Sequence, residues 1–81
     1  YNLTIDQYNQ ILVAQNHKCA ICAISVSLVV DHNHRTKEVR GLLCKQCNIG
    51  LGAFRDNSNL LIKAANFLNQ QDIFIRYKAI K

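Results

Sequence analysis

The hydrophobic and polar positions near the start of the chain follow the period of a helix. Apolar side chains recur every three or four residues there, at Ile5, Tyr8, Ile11 and Leu12. Thr4 stands where a helix N-cap would, and Gln7, three residues later, completes a capping box. The pattern therefore predicts a helix over about residues 5–15, which the polar residues at 16 and 17 bring to an end.

Two apolar runs in the middle of the chain predict a β-hairpin. The first run, over residues 26–31, is rich in β-branched valine and is typical of a buried strand. The polar residues 33–37 follow as a turn, and residues 38–43 return as a second strand. Gly41 inside that second strand indicates a bulge or a close backbone approach.

The second half of the chain predicts helices. A short helix begins at Lys45 and is expected to end near Gly50 or Gly52, because glycine favours the C-terminal cap. A polar turn then offers several N-caps for an amphipathic helix over about residues 58–69. Residues 72–81 mix apolar and basic side chains and predict either a last helix or an extended segment. We expect one α+β domain over residues 1–81, with its core at about residues 17–52.

Four cysteines form two pairs with the spacing of a zinc site. The pairs Cys19-x-x-Cys22 and Cys44-x-x-Cys47 are separated by 21 residues, enough for a whole hairpin. Two disulfides are the alternative interpretation, which the reduced thiols of a cytosolic chain disfavour. Because four sulfur ligands saturate a tetrahedral zinc ion, this zinc is expected to be structural rather than catalytic.

Length and charge limit the classes of function. A chain of 81 residues buries a small core, so a metal staple is expected. The formal net charge is +5; four thiolates and one zinc ion contribute −4 + 2 = −2, which leaves +3. A basic balance favours a polyanion such as DNA as partner, although surface lysines for solubility would give the same charge. No apolar run reaches the length of about 18 that a membrane span needs, and a cytoplasmic location is expected.

A set of polar residues beside the cysteines is not needed to hold zinc. Asp31 ends the first strand, His32 and His34 follow, and Asn48 comes directly after the second cysteine pair. Carboxylate and amide oxygens suit magnesium, and a histidine can take a proton from water at neutral pH. Each residue alone could be an ordinary turn or helix residue. Their combination within one predicted hairpin and helix favours a site for phosphodiester cleavage.

These motifs resemble a known family. Asp31-His32-x-His34, the run from Arg40 to Asn48 and the cysteine pairs are similar to the phage recombination endonuclease VII family, over roughly residues 1–70. That family belongs to the HNH, or His-Me finger, nucleases with a ββα-metal fold. In the resemblance Asn33 is a turn residue, and the family's last site position corresponds to Asn48.

The resemblance implies a role for each of these residues. His32 would be the general base, Asp31 and Asn48 would hold one Mg²⁺ or Mn²⁺, and His34 would orient the phosphate or support the base. Asp31 and His32 can share a site only if the strand bends or ends there, because neighbouring residues on a regular strand face opposite sides. We predict that it does.

The expected activity is that of a metal-dependent DNA endonuclease, and the family suggests branched or distorted DNA as substrate. A junction resolvase would act as a homodimer, because it makes two cuts. Four basic residues near the site are expected to contact DNA phosphates: Arg35, Lys37, Arg40 and Lys45. The alternative is a non-catalytic, treble-clef-like zinc module that binds DNA or protein.

Overall fold

The computed structural model describes residues 3–70 of the chain. In chain order the elements are α1 (Ile5–Ala14), β1 (Val29–His32), β2 (Val39–Leu43), α2 (Lys45–Ala53) and α3 (Ser58–Asn69). The two strands pair antiparallel, so the predicted α+β class and the β-hairpin followed by a helix are confirmed. Within residues 3–70 no helix is long and apolar enough to cross a membrane. The predicted helix or extended segment at 72–81 lies outside the described residues.

The first helix begins at the predicted capping box. The Thr4 hydroxyl accepts a hydrogen bond from the Gln7 backbone N–H, and the Gln7 side chain accepts one from the Thr4 N–H, both at 3.0 Å. These two bonds satisfy N–H groups that the first turn leaves without helical partners. At the other end the His17 N–H closes the helix on the Leu12 carbonyl at 2.8 Å. The predicted bounds of this helix are therefore confirmed within one residue.

The core is small and is built around the hairpin. Its buried apolar residues are Cys19, Leu28, Leu42, Leu43 and Cys44. Side chains from α1 and α2 pack against them, including Tyr8, Ile11, Leu12 and Leu51. Because two of the five buried residues are cysteines, the cysteine loops are part of the core rather than an addition to it.

Gly41 is required because the end of α1 lies directly against β2. The Gln15 amide exchanges two hydrogen bonds with the Leu42 backbone, at 2.9 and 3.0 Å, much as a neighbouring strand would. A Cβ atom on Gly41 would lie 3.1 Å from the Gln15 Oε1, and the Gly41 φ of +155° disfavours other residues. The predicted close approach at this glycine is confirmed.

The first strand is shorter than predicted. It begins at Val29 rather than at residue 26, and Val26 is 52% exposed. The backbone of the preceding segment is used elsewhere: the Ile24 carbonyl accepts the Cys19 N–H at 3.0 Å, and the Leu28 carbonyl accepts the Tyr8 hydroxyl at 2.9 Å. These carbonyls close the first cysteine loop and hold α1 against the segment before β1, so valine content alone misplaced the strand.

The expected glycine cap of α2 is wrong. The helix continues through Gly50 and Gly52, with no side-chain neighbour that either glycine must accommodate. It closes instead with the Arg55 N–H on the Gly52 carbonyl at 2.9 Å and the Asp56 N–H on the Leu51 carbonyl at 2.8 Å. Those two bonds form a Schellman motif, in which Arg55 takes the left-handed conformation that glycine usually occupies, with φ 57°.

The last helix begins where the sequence predicted. Asn57 is its N-cap, and the Asn57 side-chain oxygen accepts the Leu60 N–H at 3.0 Å. Only one residue separates this cap from the Arg55 turn, so the connection between α2 and α3 is short and hydrogen-bonded at both ends. Ser58, the first residue of α3, is thereby held beside Arg55 and Asp56.

Candidate metal centre and acid–histidine site

The predicted zinc ligands come together in the structure. The Sγ atoms of Cys19, Cys22, Cys44 and Cys47 all lie within 4.8 Å of one another, and the Cys22 and Cys44 sulfurs are 3.7 Å apart. Thiolates placed about 2.3 Å from one ion in a tetrahedron would be about 3.8 Å apart. All four cysteines are free, so the disulfide alternative has no support. We call these four residues the cysteine cluster.

The electrostatics of the cysteine cluster call for a cation. Backbone N–H groups donate to the Cys19 and Cys44 sulfurs, each at 3.4 Å. Burial opposes ionisation of Cys19, but the backbone donors around it outweigh this and lower its pKa to about 6. Partial burial and the neighbouring sulfurs raise the pKa of Cys47 to about 12. Four sulfurs this close together form the donor set of a structural Zn²⁺, whose charge would stabilise them as thiolates.

The cysteine cluster also fixes the start of α2. Cys44 is the N-cap of that helix, and it follows β2 directly. The Asn48 N–H closes the first turn on the Cys44 carbonyl at 3.0 Å, and the Asn48 residue is exposed there. Because α2 packs on both strands, a zinc ion bound to Cys44 would hold the helix that carries Asn48 against the strand that carries Asp31 and His32.

The pairing of the hairpin becomes irregular between the predicted metal ligand and the predicted base. Asp31 pairs with Gly41, but His32 pairs with Val39, so Arg40 is an extra residue on β2 and forms a bulge. The first strand ends at His32. The strand thus ends at His32 and its pairing shifts at this step, as predicted. The extra residue lies on β2, so a site shared by Asp31 and His32 stays a prediction.

The bulged residue, Arg40, joins two carboxylates. Its guanidinium donates to the two Asp31 oxygens at 2.7 and 3.1 Å, and to the two Asp56 oxygens at 2.8 and 3.1 Å. Asp31 is only 8% exposed, so this pairing supplies the hydrogen bonds that its burial requires. Both carboxylates raise the pKa of Arg40 above its usual range. We call Asp31, Arg40 and Asp56 the Arg40 clamp.

Asp56 is a site residue that sequence reasoning missed. In the sequence it is one of several polar residues in a turn, and its 16-residue separation from Arg40 matches no motif. Its position depends on the left-handed backbone at Arg55 and Asp56, with φ 57° and 55°. The hydrogen-bonded guanidinium of Arg40 lowers the pKa of the Asp56 carboxyl. No local sequence signal could have indicated this pairing.

The two histidines lie next to each other. The ring centroids of His32 and His34 are 4.7 Å apart, with 56° between the ring planes. Partial burial lowers the pKa of His32, a charge on His34 would lower it further, and Asp31 acts in the opposite direction. The His32 imidazole is therefore mostly neutral at pH 7, the form that can accept a proton.

A polar cleft of about 670 Å³ adjoins the histidines. It lies between the hairpin turn and the α2–α3 connection, and its lining residues are Asn33, His34, Arg35, Arg40, Gly52, Arg55, Asp56 and Ser58. We call it the arginine cleft. Of the predicted DNA contacts, Arg35 and Arg40 line it, whereas Lys37 and Lys45 do not. Arg55 is a second residue that sequence reasoning missed, because a glycine was expected to end α2.

The turn itself has the role expected from the sequence. The Asn33 side-chain oxygen accepts the Arg35 N–H at 2.7 Å and the Thr36 N–H at 3.0 Å. Asn33 is therefore a turn-forming residue. Lys37 closes the turn with a positive φ of 69°, and Lys45 begins α2 beside a separate, apolar depression next to the cysteines.

Comparison with known proteins decides the family. The family model for recombination endonuclease VII matches residues 1–70. The chain belongs to this family. It is 41% identical to the Gene 59 protein of Mycobacterium phage L5, over 84% of this chain and 44% of the phage protein. It is 39% identical to the Gene 59 protein of Mycobacterium phage D29, over 86% of this chain and 46% of that protein.

The chain of this endonuclease VII family member spans less than half the length of these phage relatives. The family match nevertheless includes the cysteine cluster, the Arg40 clamp, both histidines and Asn48. No solved structure matches the chain.

Proposed function

We propose that this endonuclease VII family member is a metal-dependent DNA endonuclease of the HNH type. The observation that carries the proposal is the end of β1, where the pairing shifts after the buried Asp31 and where His32 lies against His34. Family membership supports a nuclease, and the basic composition supports a nucleic acid as substrate.

The proposed site uses His32 as the general base. His32 takes a proton from water, the water oxygen attacks phosphorus, and the bond from phosphorus to the 3′ oxygen breaks. The leaving 3′ oxygen takes up a proton from solvent water. The products are then 5′-phosphate and 3′-hydroxyl ends. His34, whose ring centroid is 4.7 Å from that of His32, is placed to orient the phosphate or support the base.

Asp31 and Asn48 would hold one divalent cation of the Mg²⁺ or Mn²⁺ class. Arg40 already donates to both Asp31 oxygens, but each carboxylate oxygen keeps a further lone pair that a cation would use. Such an ion supplies charge stabilisation at the phosphate and leaving oxygen. A bound cation and Arg40 would share the Asp31 carboxylate.

The decisive experiment removes the imidazole of His32. Plasmid nicking by zinc-loaded protein with added Mg²⁺ should fall about 10²–10⁴-fold in His32→Ala, because the water loses its base. The matched control is His17→Asn, which removes an exposed imidazole and keeps a residue type that tolerates the φ of 60° at that position.

The result is interpretable only if both variants retain the fold. Circular dichroism and zinc content should equal those of the wild type in each. Nicking that survives in His32→Ala, while His17→Asn behaves as wild type, would refute the proposed base.

One observation favours a non-catalytic zinc module instead. Both Asp31 oxygens are used by Arg40, which would suffice to explain a buried aspartate without any cation. A module of this kind would bind DNA or protein but would not cut. Wild-type protein that fails to nick plasmid in Mg²⁺ or Mn²⁺, while still binding DNA, would support it.

The preferred DNA structure is proposed from the family alone. Branched or distorted DNA is the expected substrate, and resolution of a junction would need a homodimer that makes two cuts. Cleavage of matched linear, nicked and four-way substrates would test this, together with the oligomeric state on the four-way substrate. Equal rates on all three would argue for a general nickase. The proposed domain comprises residues 1–81, and its proposed setting is the cytoplasm of the host cell.

A further inference from the structure

We propose that the arginine cleft binds the phosphodiester backbone of a nucleic-acid strand beside the cleavage site, through Arg35 and Arg55. Arg40, in contrast, is a positioning residue that holds the two carboxylates. This inference rests on the proposed nuclease function, because the strand in the cleft is the strand to be cut. It assigns Arg55 to DNA binding and removes Arg40 from the expected phosphate contacts.

The three arginines of the cleft differ in whether a carboxylate pairs with them. Arg40 donates four hydrogen bonds to two carboxylates, so only one of its five N–H groups remains for another acceptor. Its positive charge is thereby more than neutralised. Arg35 and Arg55 are exposed, and within residues 3–70 neither side chain forms an ion pair. They are the guanidinium groups in the cleft with charge available for an anion.

The two free arginines come from different parts of the chain. Arg35 lies on the hairpin turn, and its backbone N–H is fixed by Asn33 at 2.7 Å. Arg55 lies at the end of α2, where the Schellman motif fixes its backbone. Ser58, at the N-terminus of α3, also lines the cleft, and the dipole of that helix favours an anion there. Each side of the cleft thus carries one guanidinium without an ion pair in the described part of the chain, and the ion-paired Arg40 and Asp56 line the cleft as well.

Its size and position favour a strand over a small free anion. A volume of about 670 Å³ exceeds what one phosphate needs and lies in the range of about 300–1,000 Å³ of ligand sites. His34 lines the cleft and contacts His32, so a strand with its scissile phosphate at His32 would continue into the cleft. Guanidinium groups suit phosphates because they donate two parallel hydrogen bonds.

The test measures binding rather than cleavage. Fluorescence anisotropy of a labelled duplex is followed with zinc-loaded full chain and no added Mg²⁺, at several salt concentrations. Arg35→Gln and Arg55→Gln should each weaken binding about 5- to 10-fold at low salt and each reduce the slope of log K against log salt by about 0.9. Lys63→Gln, an equal loss of charge on α3 outside the cleft, should change both quantities little.

Arg55→Gly distinguishes a contact from a structural role. Glycine suits the φ of 57° at this position, so the variant should unfold at the same or a higher temperature while losing DNA affinity as Arg55→Gln does. Arg55→Lys should retain most of the salt slope. The inference would be overturned if Arg35→Gln and Arg55→Gln had the same DNA affinity and salt slope as Lys63→Gln.

Competition separates a strand from a free anion. Unlabelled 12-nucleotide DNA should displace the labelled duplex at a far lower phosphate concentration than inorganic phosphate does. Equal displacement per phosphate would overturn the assignment to a strand. DNA affinity, salt slope and competition are all measured without cleavage. The binding proposal can therefore be refuted while His32-dependent nicking persists, and it can be supported where nicking is absent.

Discussion

The cysteine cluster and the Arg40 clamp lie at the two ends of β2 and are built in different ways. Arg40 is the second residue of that strand, and Cys44 directly follows its last residue. The cluster takes its ligands from a turn and from the first turn of α2, each with two cysteines three positions apart, so the sequence spacing already shows it. The clamp joins residues 31, 40 and 56, which no repeated spacing relates. A site made of local turns can be recognised from sequence, whereas a site made by a bulge and a helix end cannot.

The two sites should also differ in what their loss costs. The cysteine cluster includes two of the five buried apolar residues, so a metal bound there would be part of the core. The clamp has one nearly buried member, and the Arg40 and Asp56 side chains are 36% and 26% exposed. Loss of the metal should therefore unfold the protein, while loss of the clamp should weaken it and disturb the site.

The largest effect is expected from removal of a zinc ligand. Cys44→Ser should lose the bound zinc and the helical circular dichroism, because zinc binding contributes about 10–16 kcal/mol in small zinc domains, comparable to the whole stability of a domain. Zinc content and urea unfolding measure this. Ala20→Ser, an exposed change inside the first cysteine pair, is the control. Cooperative unfolding of Cys44→Ser without bound zinc would show that the metal is dispensable to the core.

A smaller effect is expected from the clamp. Arg40→Gln leaves the nearly buried Asp31 without its partner, and we expect a loss of about 1–3 kcal/mol in unfolding free energy. The cost stays below the roughly 3–5 kcal/mol of a fully buried pair because the guanidinium is partly solvated. Urea unfolding of zinc-loaded protein measures it. Arg35→Gln on the exposed turn should cost less than about 0.5 kcal/mol.

Lysine should not substitute for Arg40. Four hydrogen bonds to two carboxylates need a planar guanidinium, and an ammonium group cannot reproduce them. Urea unfolding of Arg40→Lys measures this. An unfolding free energy equal to that of the wild type would show that the clamp needs only a positive charge and no particular hydrogen-bond geometry, unlike the cysteine cluster.

The smallest changes in unfolding free energy are expected from alanine substitutions at two glycines. Gly41→Ala should cost about 1–2 kcal/mol, because its φ is +155° and the new Cβ would lie 3.1 Å from the Gln15 oxygen. Gly50→Ala should instead stabilise by about 0.5–1 kcal/mol, since Gly50 lies inside α2 with open space around it. Chemical unfolding of both variants measures the difference. Equal effects would mean that the bulge region adapts freely.

Sequence reasoning succeeded where neighbours in the chain determine the structure. The Thr4–Gln7 capping box, the paired cysteines and the polar turn at Asn33 each depend on residues within four positions of one another, and the structure confirms them. The end of β1 at His32, with a change in pairing after Asp31, was also predicted, because a shared site requires it on geometric grounds.

It failed at two places, the start of β1 and the end of α2. The residues before Val29 look like strand, but they bind the cysteine loop and α1 instead. Two glycines look like helix caps, but the Schellman motif forms at Arg55, a residue type that pattern rules exclude from that conformation. The first error arises because hydrogen bonds to other parts of the chain override local propensity. The second arises because a local Schellman motif forms at Arg55 rather than at a glycine.

By itself the sequence determined the metal-binding cysteines, the hairpin and the helix that follows, because short-range spacing and apolar periodicity carry that information. Only the tertiary structure decided which arginine is neutralised and which remains available for a phosphate. That outcome depends on where a bulge and a helix end place three side chains in space. Ion pairing acts over a few ångströms of space, and residues 31, 40 and 56 reach that distance only after the chain has folded.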